Sequence, residues 1–128
     1  MFTQEIPLEE LTVFLDAFSQ RHSGERVTLE VLDRELGPQR LVTDVPLIGG
    51  TAEPASPAAG PNDREMRVEF AAGDSPEELE SHEVRHPVHV RLAKSDDGAD
   101  AALEIEPQDG PPLLLRFGGA EGATTFGR

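Results

Sequence analysis

The chain has 128 residues, 25 acidic and 11 basic side chains, a net charge of −14 and no cysteine. That length suits one domain with a modest core. The lack of cysteine excludes a disulfide framework and thiolate metal or redox chemistry, and the acidic balance disfavours binding to phosphate backbones.

No stretch approaches about 18 consecutive apolar residues, so no membrane span is expected. The N-terminus MFTQEIPLEEL lacks the basic-then-apolar order of a secretory signal, and the expected location is the cytoplasm. Pro7 to His22 reads as a helix. Pro7 suits its first position, Glu9 and Glu10 its first turn, and Arg21 and His22 its last. Gly24 is placed to end it. Leu8, Leu11, Phe14, Leu15 and Phe18 recur at helical spacing, giving a face suited to cover a sheet. The cap is weak, because Ile6 falls at the N-cap position.

Arg26 to Asp33 alternates Val27, Leu29 and Val31 against Thr28 and Glu30, the period of a strand with one buried face. A turn around Gly37 leads to a second strand, Gln39 to Leu47, where Pro46 marks an edge or a bulge. Gly49 to Asp63 (GGTAEPASPAAGPND) is rich in Gly and Pro with almost no large apolar group, and reads as a surface loop inside the domain. Met66, Val68 and Phe70 alternate in a third strand. Ser75, Pro76 and Glu78 have capping-box spacing, enough for one helical turn.

Val84, His86, Val88, Val90 and Leu92 share one parity in the next strand. Leu103 and Ile105 alternate with Glu104 and Glu106 in another. After the turn Pro107 to Pro111, Leu113, Leu115 and Phe117 define the last. Tight connections of this kind pair strands antiparallel. The expected fold is α+β: an N-terminal helix on a bent antiparallel sheet of about six strands, resembling a small open β-barrel. Residues 1–117 form the domain, with 49–63 a surface loop and 118–128 a flexible tail.

These residues resemble an uncharacterised bacterial group, the family of domains of unknown function numbered 5335. The similar parts are Glu5-Ile6-Pro7 with the Leu11, Phe14-Leu15 and Phe18-Ser19 helix face, the strand Val27 to Val31, and the approach from His82 to Pro87-Val88. The strongest part is Gly98 to Glu106 followed by Leu114 to Phe117. The resemblance spans nearly the whole chain, with 49–63 standing as an insertion. It implies one compact domain and no activity, cofactor or catalytic residue.

Candidate chemistry is sparse. His82, His86 and His89 invite a metal reading, but Pro87 forbids a helix through them. On a strand, four residues separate His82 from His86 by roughly 13 Å, too far for two ligands of one zinc. Asp96, Asp97 and Asp100 flank Gly98 without the alternating carboxylates and distant Glu of a calcium loop, and suit a polar turn. Arg67, Arg85, Arg91 and Arg116 share outward parity and would suit an anion, but Glu65, Glu69, Glu83, Glu104 and Glu106 share it too, so cross-strand ion pairs are the simpler account. No G-x-S-x-G or phosphate-loop pattern occurs.

The expected function is therefore a non-catalytic protein–protein interaction module with no cofactor, no nucleic-acid partner and no membrane partner. The alternative is a small-molecule or anion binder using the open end of the barrel, with Arg85 or Arg91 as the polar handle. Leu32, Val42 and Leu114 have the parity opposite to their strands' core residues. They need a cover: the helix face, or else a homodimer or partner interface.

Overall fold

The stripe Leu11, Leu15 and Phe18 becomes the buried face of α1 (Leu11–His22), and all three side chains are fully shielded from solvent. Burying a side chain of this size contributes about 1.5–3 kcal/mol. A single 3₁₀ turn, Leu8–Glu10, precedes the helix, so Pro7 stands at the N-cap of that turn and Glu10, not Ile6, at the N-cap of α1, with no side-chain cap bond at either. The computed structural model describes residues 2–54 and 66–118.

Eight strands follow or precede this helix: β1 (Phe2–Glu5), β2 (Arg26–Asp33), β3 (Gly37–Pro54), β4 (Met66–Ala72), β5 (Glu80–Arg85), β6 (Pro87–Lys94), β7 (Asp100–Pro107) and β8 (Leu113–Phe117). They form one antiparallel sheet in the order β1-β6-β7-β8-β2-β3-β4-β5. The α+β class holds. The expectation of about six strands in a barrel-like sheet does not: there are eight, and the sheet is not closed.

Two features account for the difference. β1 is short and wholly exposed, so it carries no apolar alternation to betray it. The run from Val84 to Leu92 is two strands, not one. His86 takes φ of 53° and turns the chain from β5, at one end of the sheet, into β6, near the other. A register shift between Pro87 and His89 then leaves Val88 outside while Val90 and Leu92 enter the core.

The 18-residue β3 carries the bend. Its first half pairs with β2, and its second half with β4. Between them Asp44 adopts φ of 55°, a left-handed conformation that Asp tolerates better than most residues. Its N–H reaches Thr28 Oγ1 at 3.1 Å, and Arg26 Nε holds its carboxylate at 2.9 Å. The register shift here sets Val42 opposite Leu29, so Val42 packs against the main core rather than on the second face.

Residues 49–54, expected in a loop, continue β3 and pair with β4. Their small side chains are required by the packing. A Cβ on Gly50 would lie 2.4 Å from the Phe70 ring. The other side of this half-strand faces α1, where Thr12 Oγ1 donates to the Ala52 carbonyl at 3.1 Å. Residues 55–63 of that expected loop, and 119–128 of the expected tail, lie outside the described residues. The turn expected after Ser75 is a 3₁₀ turn at Pro76–Glu78, without a side-chain cap bond.

The main core lies between α1 and one face of the sheet. Leu11, Leu15 and Phe18 meet Val27, Leu29, Leu47, Val68, Phe70, Val90, Leu103, Ile105, Leu113 and Leu115. The second face of the sheet carries a smaller cluster: Ala93, Ala102 and Leu114, with Leu32 packed against it. No helix among the described residues is long and apolar enough to cross a membrane.

Candidate functional site

The registers draw one row of side chains across six strands of the second face: Glu5, Arg91, Glu104, Leu114, Glu30 and Arg40. Period-two alternation puts them all on one side. Arg91 Nη1 donates to Glu104 at 2.8 Å and to Glu106 at 2.9 Å. In the adjoining row Arg116 lies beside Ala102 and Thr28, and its Nη2 donates to Glu30 at 2.8 Å. Glu30 and Arg116 are each only 5% exposed, and Glu104 6%. Burial on this scale requires pairing, because an isolated buried charge is strongly disfavoured.

Leu114 is itself 5% exposed and sits between the two buried carboxylates. The helix expected to cover it lies on the opposite face. Ala93, Ala102, Leu32 and the stems of the neighbouring charged residues surround it instead.

The four outward Arg side chains fall into two separate groups, each tied to carboxylates. Arg91 and Arg116 belong to the second face. Arg67 and Arg85 stand opposite each other on β4 and β5. Glu83 takes Arg85 Nε at 3.0 Å and Arg67 Nε at 3.3 Å, and Arg67 also bonds Glu53. The hydrogen bond from Arg85, with both positive charges beside it, holds the Glu83 carboxyl below the usual range. Arg85 and Arg91, expected as anion contacts, are each paired with carboxylates of the chain.

The three His residues considered for metal binding are also apart. His82 stands opposite Phe70, where burial holds its imidazole below the ordinary histidine value. His86 occupies the corner, and His89 Nδ1 meets Glu5 at 2.6 Å. Among the described residues no group of three or more His, Asp or Glu side chains is arranged to hold a metal ion. In the 95–99 turn, Asp97 accepts the Ser95 hydroxyl and the Ala99 N–H, the polar-turn arrangement. Asp100 turns away from it toward α1.

No local sequence pattern anticipates that contact. His22, at the end of α1, has Nε2 at 2.8 Å from Asp100 and Nδ1 at 2.9 Å from Glu25. Arg21 reaches the same Asp100 oxygen at 2.9 Å, and Lys94 lies 3.9 Å from the other. The His22 ring packs between Phe18 and Phe117, with centroids 4.8 and 4.3 Å away. Burial alone raises the Asp100 carboxyl, but bonds from His22 and Arg21, with their charges, outweigh it and leave it below the usual aspartate value. Both ring nitrogens face carboxylates, so the imidazole has no free edge for proton transfer to a substrate. A groove of about 610 Å³ opens beside this cluster, lined by Gln4, Ile6, Phe14, Arg21, Lys94 and Asp100 among others.

A protein of Aquifex aeolicus (strain VF5) named Uncharacterized protein is 28% identical over 117 residues, which cover 91% of this chain and 93% of that protein. No solved structure matches the chain. A model described as a family of unknown function (DUF5335) matches residues 2–123, a span that takes in every strand from β1 to β8 and the helix. The chain therefore belongs to the family of unknown function DUF5335.

Proposed function

We propose that this protein is a non-catalytic module that acts by binding another protein. The observation that carries the reading is β5, a six-residue strand at the end of the sheet that pairs with β4 on one side only. It starts beside Leu79, a large apolar side chain that is 47% exposed. An edge of this kind presents unpaired backbone groups that can template another chain.

The state of the polar groups supports the non-catalytic half of the reading. Arg91, Arg116, Arg85 and His22 all spend bonding capacity on carboxylates within the chain. The net charge of −14 argues against a nucleic-acid partner.

A second reading, a small-molecule or anion binder, is favoured by the groove beside α1, where Arg21 and Lys94 reach the mouth. Affinity capture from native cell extract with mass spectrometry, run beside a metabolite thermal-shift screen, separates the two. The module reading expects a reproducible protein partner and no metabolite shift. A reproducible metabolite shift with no protein partner would overturn it.

A further inference from the structure

We propose that β5 accepts an extended segment of a partner protein as a ninth strand, and that this segment sets a basic side chain opposite Glu83. The proposal rests on the reading of the protein as a binding module and adds the site and the partner's chemistry.

Besides β5, the strand edges without a strand neighbour among the described residues are interrupted, closed or short: the half of β3 that pairs with β2 carries Pro38, Pro46 and the left-handed Asp44, with register shifts in its ladder. The outer half of β3 is covered by α1, whose Ser19 and Thr12 hydroxyls bond its backbone. β1 has four residues. Ile6 N–H bonds the Val90 carbonyl at 2.8 Å, and the antiparallel alternation then turns only Thr3 and Glu5 outward.

β5 differs. His86 N–H bonds the Met66 carbonyl at 3.0 Å, in register with the ladder between β4 and β5. Alternation makes Glu80, His82 and Val84 the residues bonded to β4. It directs the backbone N–H and C=O groups of Ser81, Glu83 and Arg85 away from β4, where no described strand meets them. The register is continuous over all six pairs, and β5 contains no proline. Bulges and proline, two devices that blunt an edge, are missing here, while the charges of Glu80, Glu83 and Arg85 restrict which chain can pair.

The side chains specify the occupant. On the face carrying Glu83, the carboxylates of Glu53, Glu69 and Glu83 meet two guanidinium groups, Arg67 and Arg85. Glu69 stands directly opposite Glu83 in the register. A Lys or Arg on the added strand opposite Glu83 balances that excess, since cross-strand neighbours lie about 4.5–5.5 Å apart. On the other face the added strand borders His82 and Val84, themselves opposite Phe70 and Val68, so apolar residues there extend the core.

A second copy fits less well. The two-fold pairing that uses all three open residues sets Ser81 against Arg85 and Glu83 against Glu83, and like charges directly opposite destabilise a sheet.

The test is selection of displayed random peptides on the full chain, with the Ser81→Pro chain as counter-target. Proline is tolerated where the strand N–H points outward, so β5 is expected to stay paired with β4. Glu83→Arg is the second variant, and circular dichroism verifies the fold of both. The expected peptides alternate apolar residues around one fixed Lys or Arg and shift the amide resonances of Ser81, Glu83 and Arg85. They lose about tenfold or more in affinity for Glu83→Arg, and for Ser81→Pro if it folds. Failure to enrich any peptide overturns the proposal, as does equal binding to wild type and Glu83→Arg. A homodimer in sedimentation that Glu83→Arg or Ser81→Pro abolishes also overturns it, by giving the edge to a second copy. These outcomes leave the general module reading intact if affinity capture still returns a partner.

Discussion

Ser19 Oγ accepts the Gly50 N–H at 2.8 Å and donates to the Gly50 carbonyl at 2.9 Å. One hydroxyl on a helix thus satisfies both backbone groups of a residue that has a strand on its other side only. Backbone groups shielded from water need such partners. Ser19→Ala leaves both unsatisfied and is expected to lower stability by about 1–3 kcal/mol. Denaturant unfolding measures the loss, and hydrogen exchange localises it. If the Gly50 amide keeps its protection in the variant, water or a shifted backbone has replaced the hydroxyl and the account is wrong.

The same glycine limits its neighbour. A Cβ at Gly50 would sit 2.4 Å from Phe70 Cε1 and 2.6 Å from Cδ1, closer than carbon atoms approach. Phe70 is fully buried, so the ring has little room to retreat. Gly50→Ala is expected to cost about 1–3 kcal/mol through overpacking. Combining it with Phe70→Leu removes the clash, so the two losses should fall short of adding. Strict additivity in the double-mutant cycle would show that the ring contact is not the cause.

These two positions show where sequence reasoning stops. The stripe on α1 and the alternations of β2, β7 and β8 are legible because each buries one face, and burial writes a period into the sequence. Residues 49–54 carry no such period. Their smallness serves the approach of α1 and Phe70, and a run of small residues looks the same in a loop. β1 is exposed throughout and has no face to encode. Val84 to Leu92 keeps its parity on paper, but the φ of His86 redirects the chain in the middle. The His22–Asp100 contact joins residues 78 apart, and the Glu30–Arg116 pair residues 86 apart. Only the strand order brings them together, and no local pattern specifies it.

Leu114 lies in register between Glu104 and Glu30, both nearly excluded from water. Leu114→Glu would set three carboxylates side by side with Arg91 and Arg116 already engaged. Breaking buried charge balance of this kind costs about 3–5 kcal/mol, and a loss near that size is expected in the monomer. Leu114→Met conserves volume and should cost less than about 1.5 kcal/mol. Thermal unfolding distinguishes them. A Glu variant that stays as stable as wild type but changes its mass in solution would mean that Leu114 serves an interface rather than this buried row.

Stability should fall in two stages on acidification, and the groups responsible can be separated. Burial beside Phe70 holds His82 below the usual histidine value, although the charges of Glu80 and Glu83 act the other way. The unfolded chain therefore takes up this proton more readily than the folded one. Its contribution is fully present above about pH 6.5, the unperturbed histidine value, and is lost as pH falls toward the lower folded value. Asp100 acts further down. Burial raises its carboxyl, but the bonds from His22 and Arg21 outweigh that, so its folded value lies below the unperturbed one of about 3.9. Its contribution is present above that pH and is lost as acid protonates the folded carboxylate. His82→Gln should flatten the upper stage and leave the lower one. Asp100→Asn should shrink the lower stage and leave the upper one. Denaturant unfolding at a series of pH values on the wild type and both variants gives the test. If His82→Gln keeps the full loss of stability between about pH 7 and pH 5, the upper stage belongs to a group other than the histidine facing Phe70.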